Sequence, residues 1–280
     1  MNIIQKKIIT IFAAVCLLSF DVIGYPPAPH HVIEGVVRNE QGRPLLGDNI
    51  KVVVKAIDGG QIISRVNEVY RPGINYSVQV PMDSGISKNL FETLSFRHKT
   101  AFQLLVYIDG RHYLPIEMIG NTSKMGLPGE TTFLDLTLGE DSDRDGLPDA
   151  WEMGISSFNG KNISTIGPND DSDGDGLSNL EEYISGSYAF DKQDGVVIHM
   201  KEVSFEKANF EFLVIPGRTY SVQMSTDFKD WKQADFKLTR GNTEESFSHF
   251  IAGKVENLSI DVPLSKNDTD KKLFFKLKVQ

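Results

Sequence analysis

The sequence predicts a mainly β protein. It is expected to contain two antiparallel β-sandwich domains, at residues 28–139 and 195–280, joined by a loop segment with short helices at 140–190. Three observations support this organisation. Short β-branched and aromatic runs separated by turn residues fill both flanks. Acidic residues and glycines concentrate in the middle, and 280 residues are enough for about two domains.

The first residues have the pattern of an export signal. Two lysines precede an apolar run at 8–20, which is too short to cross a bilayer. We predict a signal peptide over residues 1–24, cleaved after Gly24, and a secreted or cell-surface location. An uncleaved membrane anchor is the alternative, but Asp21 and two prolines follow too soon for a spanning helix. No transmembrane segment is therefore expected in the mature chain.

The single cysteine, Cys16, lies inside this signal. The mature part would then have no disulfide, no thiolate nucleophile and no cysteine metal ligand. An exported fold without disulfides needs another source of stability. A bound ion is one, because a ligand that binds only the folded state stabilises that state.

The first flank, residues 28–139, alternates between strand and turn patterns. Asp109-Gly110 is a strong hairpin signal, and Gly59-Gly60 is a second one. The expected strands are 31–38, 50–57, 61–70, 75–80, 101–108, 112–118 and 133–138. The opening stretch 31–45 (HVIEGVVRNEQGRPL) resembles the prealbumin-like regulatory modules attached to carboxypeptidases and many secreted bacterial proteins.

The second flank, residues 195–280, predicts a second small sandwich. Tyr220, Val222 and Met224 alternate with polar residues and would share one face of a strand. The expected strands are 196–200, 205–214, 219–224, 247–251 and 273–279. Residues 216–231 (PGRTYSVQMSTDFKDW) and 273–279 (LFFKLKV) resemble a C-terminal module common in secreted proteins of Verrucomicrobia-like bacteria.

The negative charge is concentrated in one segment. Residues 140–182 contain twelve acidic and two basic side chains, a net charge of −10, while the whole chain carries −9. Carboxylates this dense repel one another unless cations neutralise them. Because no region forms a basic field, nucleic acid is not an expected partner.

Two twelve-residue loops within this segment follow one pattern. Each has acids at positions 1, 3 and 5, glycine at 6, Asp or Asn at 9 and glutamate at 12. Calcium is a hard ion that takes six to eight oxygen ligands, and glycine at position 6 permits the sharp turn that wraps the chain around it. Position 7 would supply a backbone carbonyl, and the glutamate reaches back from a following helix. Two complete matches in tandem predict two calcium ions rather than a solvated acidic spacer.

The loop pattern resembles the thrombospondin type 3 repeats of bacterial proteins, which bind calcium and act as stiff connectors between domains. The resemblance covers residues 140–190 and implies these ligands. The first loop would use Asp141, Asp143, Asp145, Leu147, Asp149 and Glu152. The second would use Asp171, Asp173, Asp175, Leu177, Asn179 and Glu182. Only two repeats are present, separated by an insertion at 154–168, so a compact joint is expected instead of a long array.

Dockerins, which attach polysaccharide-degrading enzymes to cohesin scaffolds, use similar duplicated loops and are an alternative. They have a recognition helix after each loop. Pro148 and Gly154 are expected to restrict the first helix here to about one turn, at 149–153. The second helix is expected at 177–184 and to end at Gly186.

No catalytic constellation emerges from the sequence. The six histidines form no metal-spaced pair, and no Gly-x-Ser-x-Gly elbow or phosphate-binding glycine loop occurs. We therefore expect a non-enzymatic protein. Trp151 is expected to pack the linker onto a sandwich. Trp231 is expected to anchor a core, with sugar stacking as its alternative role.

The sequence thus predicts a secreted or cell-surface calcium-binding structural protein whose paired loops rigidify the joint between two β-sandwiches. A carbohydrate- or matrix-binding adhesin and a dockerin-like docking module are the alternatives. The expected partners are calcium and, for the alternatives, a surface glycan or protein.

Overall fold

We describe the fold from a computed structural model. It describes residues 28–56, 60–66, 71–86, 90, 94–120, 124–240, 245–265 and 272–280. The predicted signal peptide and the Gly59 position of the first hairpin turn lie outside these residues. Within them the protein is mainly β, which confirms the predicted fold class.

The first flank packs two sheets over one core. Its strands are β1 (Ala28–Gly35), β2 (Val37–Asn39), β3 (Ile50–Ala56), β4 (Gln61–Arg65), β5 (Tyr76–Met82), β6 (Phe102–Ile108), β7 (Arg111–Tyr113), β8 (Glu117–Gly120) and β9 (Thr131–Leu138). One sheet has the order β2-β9-β1-β5 with β8 on β9, and the other has the order β4-β3-β6-β7. Alternate residues of β5, from Tyr76 to Met82, face the core, which gives the strand its period of two.

The Asp109-Gly110 hairpin is confirmed. Ile108 pairs with Arg111, and both turn residues adopt the left-handed conformation that a two-residue hairpin loop requires.

The first sheet is mixed, where a purely antiparallel one was expected. Strand β9 pairs in parallel with β1 and β2 and antiparallel with β8. Gly35, at the end of β1, permits this close pairing, because a Cβ there would lie 2.0 Å from the Leu134 carbonyl oxygen. The predicted strand 112–118 is divided at Pro115 into β7 and β8, which belong to different sheets. Proline has no N–H to donate to a sheet.

The second flank is antiparallel throughout its described pairings. Its strands are β10 (His199–Val203), β11 (Lys207–Val214), β12 (Thr219–Ser225), β13 (Lys232–Ala234), β14 (Phe236–Leu238), β15 (Ser246–Phe247), β16 (Phe250–Ile251), β17 (Glu256–Pro263) and β18 (Phe274–Val279). One sheet has the order β10-β11-β17-β14-β15, and the other has the order β13-β12-β16 with β18 on β12. The predicted strand 247–251 is wrong as a single element, because β15 and β16 join different sheets.

The linker holds helix α1 (Asp149–Asn159), a 3-10 turn (Ile163–Thr165) and helix α2 (Asn179–Ser185). The prediction of a one-turn first helix is wrong. Buried Ile155 anchors α1 beyond Gly154, and Gly160 in the left-handed conformation ends it. Helix α2 ends at Gly186 as predicted. Among the described residues, no helix combines the length and the apolar character needed to cross a membrane.

Candidate metal centre

Each loop folds around its first aspartate. The Asp141 carboxylate accepts hydrogen bonds from the backbone N–H groups of Arg144 (2.6 Å), Asp145 (3.2 Å) and Gly146 (2.9 Å). In the second loop, Asp171 accepts from Gly174 (2.7 Å) and Gly176 (3.0 Å). The position 1 carboxylate therefore sets the same turn in both loops.

The fifth positions repeat the correspondence. Asp145 accepts from the N–H of Leu147 at 2.9 Å, and Asp175 accepts from the N–H of Leu177 at 2.7 Å. Gly146 and Gly176 both have a φ of 103°, which side chains rarely adopt. The conformational reason for glycine at position 6 is therefore the same in the two loops.

These turns bring the aspartates of each loop together. In Asp141, Asp143 and Asp145, one carboxylate oxygen per residue lies within 4.8 Å of the others, and the same holds for Asp171, Asp173 and Asp175. Like charges this close destabilise the fold without a cation.

The glutamates at position 12 are the most informative residues of the segment. Glu152 and Glu182 are 0% exposed, and neither oxygen of either carboxylate has a hydrogen-bond partner among the described residues. A buried ionised carboxylate without a partner costs several kcal/mol. A divalent cation held between the aspartates and the glutamate would supply that partner in each loop.

Burial and the neighbouring aspartates also affect protonation. Without a cation, desolvation first and then the Asp145 charge raise the pKa of Glu152 to about 8. Desolvation and the Asp173 charge raise the pKa of Glu182 to about 7. Both glutamates thus lie where a negative charge is unfavourable until a cation compensates it.

Position 9 differs between the loops. Both oxygens of Asp149 interact with Ser142, at 2.8 Å from its N–H and 2.5 Å from its hydroxyl. Asn179 is fully buried and donates its Nδ2 to the Gly167 carbonyl at 2.8 Å, while its Oδ1 has no partner in the described structure. Asn179 thus keeps an oxygen available for a cation, and Asp149 uses both of its oxygens within the loop.

Position 7 also differs. The Leu147 side chain is 0% exposed and packs with Leu114 and Tyr183, whereas Leu177 is half-buried.

The carboxylate and amide oxygens of both loops are the donors that a hard divalent cation prefers. Their arrangement fits the predicted calcium better than a softer metal.

The first loop also contacts the first sandwich through Tyr113 of β7. Burial and a hydrogen bond with Asp141 raise the pKa of this tyrosine well above its usual value. Trp151 was expected to pack the linker onto a sandwich. It packs against a cluster that includes Leu114 of the first flank, and also against the cluster of Ile155, Ile166 and Ala189 within the linker.

A buried arginine that sequence reasoning missed joins the linker to both sandwiches. Arg218 is 3% exposed and precedes β12. Its guanidinium donates to the carbonyls of Tyr183 (2.8 Å), Pro216 (2.9 Å), Ile184 (3.4 Å) and Pro115 (3.4 Å). It also lies 4.8 Å over the Tyr183 ring. No local pattern marks an arginine in a turn as buried, so only the tertiary structure identifies it.

The sandwiches also touch directly. Lys124 and Lys99 of the first flank lie 3.0 and 3.4 Å from the Glu245 carboxylate of the second. The Lys124 ammonium lies 3.6 Å over the Phe247 ring. These partly exposed contacts are individually weak.

The expectation that Trp231 anchors a core is wrong. This residue is half-buried and lies outside the core cluster of the second flank, with its indole N–H donated to the Phe228 carbonyl at 3.2 Å.

Comparison of the chain with protein-family models, with curated proteins and with solved structures finds no match. The resemblance to thrombospondin type 3 repeats therefore stays a prediction.

Proposed function

We propose that this is a secreted or cell-surface structural protein that binds one calcium ion in each acidic loop and uses the two ions to rigidify the joint between its sandwiches. The observation that carries the proposal is the pair of fully buried glutamates, Glu152 and Glu182, whose oxygens lack protein partners beside three aspartates. An acidic spacer gives no reason to bury these glutamates. A cation site does.

The second loop suggests how calcium would affect the joint. Helix α2 carries Asn179 and Glu182 in its first turn, and the next residue is Tyr183. The Tyr183 hydroxyl donates to the Leu114 carbonyl at 3.5 Å, and its own carbonyl accepts from Arg218. A ligand that fixes Glu182 would therefore also fix the residue that contacts both sandwiches.

The export signal predicted for residues 1–24 supports calcium as the ion. Calcium is abundant outside cells, and a free concentration 100 times the dissociation constant stabilises a folded site by about 2.7 kcal/mol. Magnesium fits less well, because it requires a tight octahedral shell and retains its waters. We propose no catalytic role for this segment, since loops of this kind surround their ion with protein oxygens and leave little room for substrate.

A docking role for the linker is the alternative that the longer α1 favours. This helix has about three turns and exposes Met153 and Phe158. The Phe158 ring contacts that of Phe190, which in turn contacts the exposed Tyr188. Recovery of a cohesin-like scaffold by the wild-type protein, and its loss in Phe158→Ala, would support docking over a purely structural role.

Calorimetric calcium titration of the mature protein tests the main proposal. We expect about two ions per chain, loss of both in Asp143→Ala/Asp173→Ala, and a higher melting temperature in calcium than in EDTA or magnesium. The exposed Asp235→Ala is a matched control that should bind as the wild type does. Absence of binding, or melting that is indifferent to EDTA, would contradict the proposal.

A further inference from the structure

The outer face of the sheet formed by β13, β12 and β18 has an unusual composition. Phe275, Leu277 and Val279 of β18 turn inward to the core, so the alternating residues of that strand turn outward. The strand pairings place polar and aromatic residues beside them on the same face. The buried Ser221 and Ser225 of β12 also lie on this face. Its exposed and half-exposed members are Gln223, Trp231, Gln233, Phe274, Lys276 and Lys278, and we call these six residues the lysine-aromatic face.

Three aromatic rings cluster at one end of the lysine-aromatic face. Phe228, in the turn before β13, is 62% exposed, and its ring centroid lies 3.7 Å from that of Phe274 and 6.2 Å from that of Trp231. Exposed aromatic rings grouped in this way are a common feature of binding surfaces.

The backbone holds Phe228 outward at a conformational cost. Its φ is 61°, a left-handed value that is a true outlier for a bulky side chain. The Asp227 carboxylate fixes the turn by accepting from the N–H groups of Lys229 (2.9 Å) and Asp230 (3.0 Å). Backbone strain that the surroundings maintain often marks a ligand-binding position.

The charge of the lysine-aromatic face is opposite to that of the chain. Its six positions carry two lysines and no carboxylate, whereas the whole protein has a net charge of −9. The adjoining turn adds Asp227, Lys229 and Asp230, and the Asp227 carboxylate is held within the turn by the N–H groups of Lys229 and Asp230 and by the Ser225 hydroxyl. Lys276 and Lys278 are exposed, and the Lys276 ammonium lies 4.3 Å over the Trp231 ring. Gln223 and Gln233 add amide groups that can donate and accept hydrogen bonds.

We propose that the lysine-aromatic face binds an anionic polysaccharide, a polymer of pyranose rings bearing carboxylate or sulfate groups. Pyranose C–H faces stack on Trp231 and Phe228, the two ammonium groups pair with the anionic substituents, and the glutamine amides bind hydroxyls. A neutral glycan would leave both lysines without a role. A peptide partner would be expected to use the free edge of a sheet, whereas these side chains project from its face.

The ligand series for the test shares one sugar framework. Mature protein in calcium is titrated with a galacturonic acid trimer, its methyl ester, and a sulfated galactose trimer. Such short oligomers avoid calcium-induced gelling. Tighter binding of either charged trimer than of the ester, by tenfold or more, supports the proposal, and the preferred trimer identifies the anionic group. Equal affinity for the ester, or no binding of either charged trimer, overturns it.

Protein variants separate a built site from simple ion exchange. Trp231→Ala and Lys276→Gln should each weaken binding about tenfold. Phe205→Ala, at a phenylalanine that is 84% exposed elsewhere on the same domain, should not. Both test residues lie outside the core, so unchanged melting temperatures would show that the variants fold. Full binding by Trp231→Ala would overturn the proposal, even if Lys276→Gln were weakened.

The outcome is independent of the calcium proposal. A protein that binds two calcium ions but no charged trimer refutes only the polysaccharide site. A protein that binds a trimer but no calcium refutes only the calcium joint.

Discussion

The two acidic loops share a turn scaffold but differ in how the rest of the protein holds them. Asp141 and Asp171 organise equivalent turns, and both loops end on a buried glutamate. The first loop contacts the first sandwich through Leu147, which packs with Leu114, and through Tyr113 beside Asp141. The second leads through Tyr183 to Arg218 and so to both sandwiches. The pattern of ligand residues therefore sets the geometry of the turn. Residues outside the pattern determine which parts of the protein each loop contacts.

The largest loss of stability is expected at Arg218, which connects the second loop to both sandwiches. Arg218→Met would leave the carbonyls of Tyr183, Ile184 and Pro115 without their donor, and each unpaired buried carbonyl costs about 1–3 kcal/mol. We expect a loss of about 3 kcal/mol in the free energy of unfolding and a wider particle by X-ray scattering. Arg240→Met, at a largely exposed arginine, is the control and should lose less than about 1 kcal/mol.

At the first connection, Tyr113→Phe removes the polar interaction with Asp141 and leaves the packing of Leu147 on Leu114, so it should cost about 1 kcal/mol. A Tyr113→Phe loss as large as that of Arg218→Met would mean that the loops are anchored equally, which would remove the contrast drawn above.

Substitutions at position 9 should have effects of intermediate size. In the second loop the calcium affinity should fall, and in the first loop the stability should fall. Asn179→Ala removes an available buried oxygen, so the second site should bind calcium about tenfold more weakly, or about 1.4 kcal/mol. Asp149→Ala removes the acceptor for Ser142 and should lower stability by about 1 kcal/mol with or without calcium. Calorimetry resolves the two cases. Loss of the first site in Asp149→Ala would show that this carboxylate leaves Ser142 to bind the ion.

Substitutions at position 4 should change the stability of the protein least, and in opposite directions in the two loops. Arg144 has a φ of 63° where the second loop has Gly174 at 78°. Arg144→Gly should stabilise the protein by about 1 kcal/mol, because glycine adopts this conformation without strain. Gly174→Ala should destabilise it by a similar amount, and no atom lies within 4 Å of the added Cβ to contribute otherwise. Melting temperatures that shift in the same direction would contradict this interpretation.

The fold class and the turn positions could be predicted because they depend on local patterns. The alternation of apolar and polar residues indicates strands, and the Asp109-Gly110 dipeptide indicates a hairpin. Neither signal depends on distant residues. The predicted strands do not include β17, although Leu258, Ile260 and Val262 alternate with polar residues in the way that is typical of a strand.

Other features depend on tertiary packing. Gly154 resembles a helix end, but Ile155 extends α1 through contacts with Ile166 and Ala189. The parallel pairing of β9, the burial of Arg218 and the half-exposed position of Trp231 likewise depend on which elements meet. A single sequence does not give that information.

The most direct test of the calcium account is whether neutralising a buried glutamate stabilises the protein without calcium and destabilises it with calcium. Glu152→Gln and Glu182→Gln each replace a buried carboxyl that has no protein partner with a neutral amide, so that folding without a cation no longer requires burying its charge or taking up a proton. In EDTA, we predict that each variant unfolds at a higher temperature than the wild type, by about 1–2 kcal/mol of stability. In saturating calcium, each should unfold at a lower temperature, because an ion ligand has been lost. The exposed Glu202→Gln should change neither melt. A shift of the same sign in both conditions, or no shift, would contradict the account.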